Sequence, residues 1–344
     1  LKNTTTASNN TAVGKSALGA NTTGTGNTGL GKEAGGAITT GDFNTFVGIA
    51  GFTTTTADNN TAVGYNSMAL NTTGTVNTAV GSTALSANTT AASNTAIGYG
   101  ALTTATTGGL NTAVGRSALL DLTTGTPNVA VGAYAGQSVT TGASNTFIGY
   151  QAGDATTTAD GNTAVGRDSL VANTTGASNT AVGRAALDAN TTASNNTAVG
   201  MNSGTAVTTG ASNTYLGAEA GEGNTTHSYN TGIGFRALEA NHSSSDGFNT
   251  ALGSEAGKTI TGSYNTFLGA RSGDATTSGD YTTAVGADAY GAVGTGSSNT
   301  AIGNRALYVN TSGADNVAVG RLALGLNTTG GENVAVGKGA LDGG

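Results

Sequence analysis

The chain has 344 residues, of which 58 are glycine, 9% are charged and none is cysteine, and its net charge is −7. We expect no nucleic-acid partner, because neutralising phosphates requires Lys and Arg grouped in a patch and no basic cluster is present. No apolar run approaches the ~20 residues of a membrane-spanning helix, and the regularly spaced aliphatic residues described below argue against disorder.

In chain order the sequence is one unit, mostly 17 residues long, repeated twenty times. The unit reads N-[T/V]-x-[V/I/L]-G-x-x-[A/S]-[L/G] and continues into a Thr-rich return. The units open at Asn10, Asn27, Asn44, Asn60, Asn77, Asn94, Asn111, Asn128, Asn145, Asn162, Asn179, Asn196, Asn213, Asn230, Asn249, Asn265, Thr282, Asn299, Asn316 and Asn333. We therefore predict a single continuous domain over 1–344, and we expect it to be a segment of a longer chain.

Each unit predicts one coil of an all-β, parallel β-solenoid. The first five positions of the unit alternate and are rich in β-branched residues, as in a strand. The fifth position is always Gly, which is typical of a turn that needs an unusual φ. We expect the Thr-Thr-Gly return to be a second short strand or a turn. Coils stacked about 4.8 Å apart would make a rod on the order of 95 Å long.

The interior of the coil is predicted by a covariation between positions three and nine, counted from the opening Asn. Position three is usually Ala and position nine usually Leu, as in Ala113 and Leu119. Where position three is aromatic, Gly takes the ninth place or its equivalent: Phe46 with Gly51, Phe147 with Gly153, Tyr215 with Gly221, and Phe267 with Gly273. The coil before each aromatic one also has Gly at position nine, and its return carries Ile38, Val139, Val207 or Ile260. We infer that these side chains share one close-packed space, which spans two neighbouring coils.

Strand alternation then places positions two and four on the outside. Position four is Val, Ile or Leu in every unit, so an aliphatic stripe should run along the rod. Such a stripe would cover on the order of 500–1,000 Å², which exceeds what a soluble monomer usually exposes. We predict that the same stripe on identical chains around a common axis covers it.

The unit resembles the head repeats of trimeric autotransporter adhesins and related repeats of phage tail fibres. The resemblance rests on "NVAVG" at 128–132, 316–320 and 333–337 and on "NTAIG" at 94–98 and 299–303. It implies a left-handed parallel β-roll, three associated chains, and attachment to a host surface, glycan or matrix ligand. It also implies an extracellular location, on a cell surface or a virion fibre. The repeat of that family is nearer fourteen or fifteen residues, so each coil should be wider here.

No catalytic, cofactor-binding or metal-binding site is expected. We assign His227 and His242 to solvated loops, although a metal site or a general base on a threefold axis is an alternative. The acidic residues near coil ends lack the spacing of calcium-binding rolls and are interpreted as solvated turn caps: Asp58, Asp154, Asp160, Asp274 and Asp280. The Asn-x-Thr triplets at Asn21, Asn71 and Asn173 could accept glycans, but they more simply satisfy turn hydrogen bonds.

Three functions remain open from the sequence. The leading one is a structural, surface-exposed fibre segment, either an adhesin head or a tail-fibre shaft. The second is an acyltransferase-like enzyme on a left-handed β-helix, whose coil of about eighteen residues is close in length. The third is a Thr-rich ice-binding solenoid, because Thr recurs at position two.

A binding site is predicted where the repeat is interrupted. The unit that opens at Asn230 has 19 residues, and the following unit has 16, as does the one that opens at Asn44. The interruption is "EANHSSSDGF" at 239–248, and exposed loops on rigid scaffolds often carry binding. We predict a site formed by Glu239, His242, Asp246 and Phe248, and we expect the coils to tolerate removal of two residues from 243–245.

Overall fold

The computed structural model describes residues 3–240 and 247–343, and in this part of the chain the regular elements are short parallel β-strands without any helix. The prediction of an all-β parallel solenoid is confirmed.

Two compact units form, Leu1–Thr175 and Gly176–Gly344. The first contains β1 (Thr11–Val13), β2 (Thr28–Leu30), β3 (Thr45–Ile49), β4 (Thr61–Tyr65), β5 (Thr78–Val80), β6 (Thr95–Ile97), β7 (Thr112–Val114), β8 (Asn128–Val131), β9 (Asn145–Ile148) and β10 (Thr163–Val165). The second contains β11 (Thr180–Val182), β12 (Thr197–Val199), β13 (Thr214–Leu216), β14 (Thr231–Ile233), β15 (Thr250–Leu252), β16 (Thr266–Leu268), β17 (Thr283–Val285), β18 (Thr300–Ile302), β19 (Val317–Val319) and β20 (Val334–Val336).

The strand register confirms the predicted coil boundaries within each unit. In the first unit Val114 of β7 is paired with Val131 of β8. In the second unit Ile233 of β14 is paired with Leu252 of β15, although the intervening coil has two extra residues. The extra length therefore lies in the return, and the strands keep equivalent positions in successive coils.

The strands end at the fifth position because the chain turns sharply there and approaches the next coil closely. Gly115 has a φ of 139°, and a Cβ atom on it would lie 2.6 Å from the carbonyl carbon of Gly132 in the next coil. Both the backbone angle and this contact require glycine. The Thr-rich return contains bends and turns without a second strand in the described residues, so of the two predicted forms it is the turn.

The interior is built as the alternation predicts. Ala113 and Leu119 are fully buried, whereas Thr112 and Val114 on either side of Ala113 are half-buried. Position eight and position fifteen are also buried, and they hold small residues such as Ala118. Each coil is therefore thin, with one layer of side chains between its strand and its return.

The predicted exchange of volume between positions three and nine is also confirmed. Phe147 is fully buried, and its Cζ would lie 2.8 Å from a Cβ atom added to Gly153. The same ring faces the preceding coil, where a Cβ atom on Gly136 would lie 2.6 Å from Phe147 Cδ2. Val139 of that preceding coil is buried as well. The aromatic ring therefore fills space in two adjacent coils, as inferred from the sequence.

The opening asparagines form a buried hydrogen-bonded column that the sequence did not reveal. The backbone N–H of Asn128 donates to Asn111 Oδ1 at 2.8 Å, and Asn111 Nδ2 donates to the carbonyl oxygen of Gly125 at 3.0 Å. Each side chain thus closes its own coil and binds the next one, and the pattern recurs through both units. Because buried backbone groups need partners, this column explains why Asn opens nearly every unit.

Position twelve contains a second set of buried polar side chains. Asn21 Nδ2 donates to the carbonyl oxygen of Gly24 at 3.0 Å, and Asn21 Oδ1 accepts from the N–H of Gly24 at 3.0 Å. In the coil where position three is Tyr215, Asn224 Nδ2 donates to Tyr215 Oη at 2.6 Å. In the coil of Phe147 the same place holds Thr156, whose buried hydroxyl has no hydrogen-bond partner. The residue at position twelve thus adapts to the ring beside it.

Candidate functional surfaces

The outer aliphatic column, defined as the position-four side chains, lies on the outside of the coils as predicted. Val13 is 55% exposed and Leu216 is 45% exposed, and the other members are half-buried or exposed. The Thr side chains at position two lie beside it and are mostly half-buried, as at Thr112. Each unit therefore presents a strip of methyl groups next to a strip of hydroxyl groups.

Two of the four residues predicted to form a binding site are described by the structure. Glu239 is the tenth residue of its coil, and Phe248 is the last residue before the next opening Asn. The other two, His242 and Asp246, lie outside the described residues. The two described residues take part in different clusters, one of charged groups and one of aromatic rings.

Glu239 belongs to a cluster of carboxylates from adjacent coils of the second unit. Single oxygens of Glu219, Glu222 and Glu239 lie within 4.8 Å of one another. Two cations approach them: Arg236 Nε is 2.5 Å from Glu219 Oε2 and 3.7 Å from Glu239 Oε1, and Lys258 Nζ is 3.6 Å from Glu239 Oε2. Glu239 is therefore engaged by ion pairs within the protein.

The titration of this cluster follows from its geometry. Burial raises the pKa of Glu222, and the nearby carboxylates of Glu219 and Glu239 raise it further, while Arg236 opposes them. The hydrogen bond to Glu219 raises the pKa of Arg236. Lys258 is shared with Glu255, whose Oε1 lies 3.3 Å from its Nζ, so carboxylates outnumber cations around the cluster. This excess of negative charge favours proton binding by Glu222 as the pH falls.

The carboxylate cluster continues into a column of alternating charge at position seven of six successive coils. Its members are Glu219, Arg236, Glu255, Arg271, Asp288 and Arg305. Arg271 Nη2 is 2.8 Å from Asp288 Oδ1, and Arg305 Nε is 3.7 Å from Asp288 Oδ2. Stacked coils bring the same position of each repeat together, so alternation avoids repulsion between like charges. Exposed pairs of this kind contribute little to stability individually.

Phe248 belongs to an aromatic column formed by the last residues of four successive coils, Tyr229, Phe248, Tyr264 and Tyr281. Successive ring centroids are 4.8, 5.0 and 5.1 Å apart, and the ring planes differ by 12°, 4° and 9°. All four rings are exposed. Sequence reasoning identified Phe248 alone, although all four aromatics precede an opening residue of the repeat.

The remaining predicted polar sites have structural roles. His227 lies in a loop and is half-buried, with its Nδ1 3.1 Å from Asn224 Oδ1, so it contacts both the protein and solvent. Asp160 Oδ1 accepts from the N–H of Ala143 at 2.7 Å, and Asp58 and Asp280 make equivalent bonds to the preceding coil. Asp160 is exposed and the other two are half-buried, so these aspartates cap backbone N–H groups at the surface and, in doing so, bridge neighbouring coils. The glycan-acceptor asparagines Asn21, Asn71 and Asn173 are fully buried, as expected for residues that serve the turn.

No known protein family matches the chain, and no curated protein is similar to it in sequence. Residues 3–240 and 247–343, which the structure describes, contain no helix that is long and apolar enough to cross a membrane. The functional argument therefore rests on the repeated coil and on the surfaces described above.

Proposed function

We propose that the chain is a structural segment of a surface-exposed fibre, as an adhesin head or a tail-fibre shaft, and is not an enzyme. The observation that carries this proposal is the outer aliphatic column, which recurs at position four of every coil. Soluble monomers rarely expose contiguous apolar patches above a few hundred Å². A covered column and a rigid repeat together suit a shaft or head that presents a long surface to its environment.

In this proposal three identical chains associate through the outer aliphatic column. The resemblance to trimeric autotransporter head repeats supports three chains rather than two. A strip of Val, Ile and Leu around a common axis would form an apolar interface like the interior of a domain. The flanks of the coils would then face outward and be free to contact a host surface, a glycan or a matrix ligand outside the cell or virion.

The test is the mass of the purified chain at micromolar concentration. Sedimentation equilibrium should give a trimer. The trimer should persist at high salt, because an apolar interface is insensitive to screening. A monomer under these conditions would overturn the proposal.

A second candidate function is ice binding, which the half-buried Thr side chains of position two favour. They lie in parallel strands, where repeats are about 4.8 Å apart, and they adjoin the regular methyl groups of position four. Thermal hysteresis measured on the purified chain separates the two functions. Activity in a monomer supports ice binding, whereas a trimer without activity supports the fibre.

A further inference from the structure

The aromatic column has only two free ring faces, one at each end. The centroid separations of 4.8–5.1 Å leave no room for a ligand ring between its members. The inner rings, Phe248 and Tyr264, are 41% and 45% exposed, whereas the end rings, Tyr229 and Tyr281, are 57% and 62% exposed. A ligand that stacks on this column must therefore use the face of an end ring.

The end at Tyr281 is bordered by small and acidic residues. The next coil places Ser298 at the equivalent position, and its N–H donates to the carbonyl oxygen of Asp280 at 2.8 Å. Ser298 is too small to cover the Tyr281 ring. One coil further along the same position is Asp315, which is exposed. Because Asp280 Oδ1 accepts from the N–H of Ser263 in the preceding coil, the groups on the free side of Tyr281 are the Ser298 hydroxyl and the Asp315 carboxylate.

The charges around this face restrict the ligand. In the second unit, the described last and next-to-last residues of the coils include three charged side chains, Asp280, Asp315 and Glu332, and all are acidic. An anionic ligand would be repelled, because no cation among them offsets its charge. At the other end of the column, Ser212 holds the equivalent position in the coil before Tyr229. No carboxylate occupies the last two positions of either of these coils. The two ends therefore differ in hydrogen-bonding groups although both expose a ring.

We propose that the free face of Tyr281 is a subsite for a neutral pyranose ring of a glycan. The apolar C–H face of the sugar would stack on Tyr281, and its hydroxyl groups would hydrogen-bond to the Ser298 hydroxyl and donate to the carboxylate of Asp315. This inference rests on the proposed function, because it names the ligand class that an attachment fibre would contact there.

The column also makes Tyr281 a better platform than an isolated tyrosine. Its ring is already held by Tyr264, so little side-chain freedom is lost when a ligand binds. Tyr99 is 61% exposed and lies on the first unit outside the column, so it provides a matched control. Stacked aromatic contacts also contribute beyond the area that they bury.

The experiment is saturation-transfer difference NMR on the purified full chain. The neutral probes are cellohexaose, maltohexaose and chitohexaose, the anionic probe is sialyllactose, and the planar cationic probe is thioflavin T. The variants are Tyr281→Ser, which copies the neighbouring Ser298, together with Tyr281→Phe, Tyr229→Ser and Tyr99→Ser. Circular dichroism spectra confirm that each variant is folded.

At least one neutral oligosaccharide should bind the native chain, and Tyr281→Ser should weaken it roughly tenfold, near the upper end of one aromatic contact. Tyr281→Phe and Tyr99→Ser should bind within about twofold of the native chain, and Tyr229→Ser should have a smaller effect than Tyr281→Ser. If Tyr281→Ser fails to fold, Asp315→Asn takes its place and should also weaken binding.

The inference is overturned if no neutral probe binds, if only sialyllactose or thioflavin T binds, or if loss of Tyr281 leaves sugar binding unchanged. Sedimentation of the same samples separates this inference from the proposed function. A trimer that binds no neutral sugar contradicts the subsite alone. A monomer that binds sugar through Tyr281 contradicts the fibre assembly alone.

Discussion

The ring of Phe147 occupies the space that a side chain at Gly153 would need, since an added Cβ atom would lie 2.8 Å from Phe147 Cζ. Gly153 has a φ of 62°, and Leu119 holds the equivalent position of an Ala-containing coil with a φ of 48°. The left-handed backbone therefore accepts leucine at this position. Glycine is required at Gly153 because the ring is there.

This relationship predicts the stability of two single variants and their combination. Gly153→Leu should cost about 1–3 kcal/mol through overpacking, and Phe147→Ala should cost about 3–5 kcal/mol through the cavity that it leaves. The double variant rebuilds the common Ala and Leu pair, so it should be more stable than Phe147→Ala. Denaturant midpoints measure all three, and simple addition of the two costs would contradict a shared space.

The outer aliphatic column predicts how charge affects assembly. Val114→Asp combined with Val182→Asp places one carboxylate on the column of each unit. If the column is an interface, these charges become buried without partners and should dissociate the trimer. Thr124→Asp with Thr192→Asp adds the same charge to exposed positions of the return and should leave the sedimenting mass unchanged. If both double variants had the same sedimenting mass, association through the outer aliphatic column would be contradicted.

The buried asparagine column predicts a large effect from one small truncation. Asn111→Ala removes the acceptor of the Asn128 N–H and the donor to the Gly125 carbonyl. Each orphaned buried group costs about 1–3 kcal/mol, so the variant should lose about 2 kcal/mol or more. Thr112→Ala is the control, because this neighbouring side chain faces outward and is half-buried. Thermal or denaturant unfolding that ranks the two variants equally would contradict the role of Asn111.

Replacement of Asp154 by a neutral residue should stabilise the fold by an amount that depends on pH. Burial raises its pKa, the hydrogen bond with Gln151 opposes this, and the charge of Asp121 adds to it. The folded chain thus holds this proton to higher pH than the unfolded chain does. Its stability falls as pH rises from the ordinary Asp pKa of about 3.9 towards the raised folded value.

Asp154→Asn removes the stability loss that accompanies ionisation of Asp154. The variant should therefore melt at a higher temperature than the native chain at pH 7, and the two melting temperatures should become similar near pH 3. Asp160→Asn is a matched control, since Asp160 accepts a backbone hydrogen bond from Ala143 and its replacement should not stabilise the fold. An Asp154→Asn benefit that is independent of pH would contradict this explanation.

The sequence was sufficient to predict the coil boundaries, the inward direction of Ala113 and the exchange between Phe147 and Gly153. Those features follow from strand alternation and from volumes that compensate within the repeat. The inward direction of Asn111 could not be read in the same way, because an asparagine before a strand is equally compatible with an exposed turn. Only its hydrogen bonds to neighbouring coils distinguish the two.

The sequence also did not predict which non-glycine residues have a positive φ, or that four aromatic rings form a column. Leu119 has no local preference for positive φ, so its conformation arises from the stacking of coils. Tyr229 and Phe248 are 19 residues apart, whereas Phe248 and Tyr264 are 16 apart. A constant spacing of 17 does not align them, but counting backwards from each opening residue does. That signal was present and would have extended the site predicted around Phe248.

The buried asparagine column gives the chain a direction of growth. Each opening Asn offers its side-chain oxygen to the backbone N–H of the following coil, so Asn111 provides an acceptor for Asn128 and not the reverse. A finished coil therefore acts as a template for the next residues to leave the ribosome. Because these contacts join residues only about seventeen apart in the chain, the coils can fold one after another in the order of synthesis.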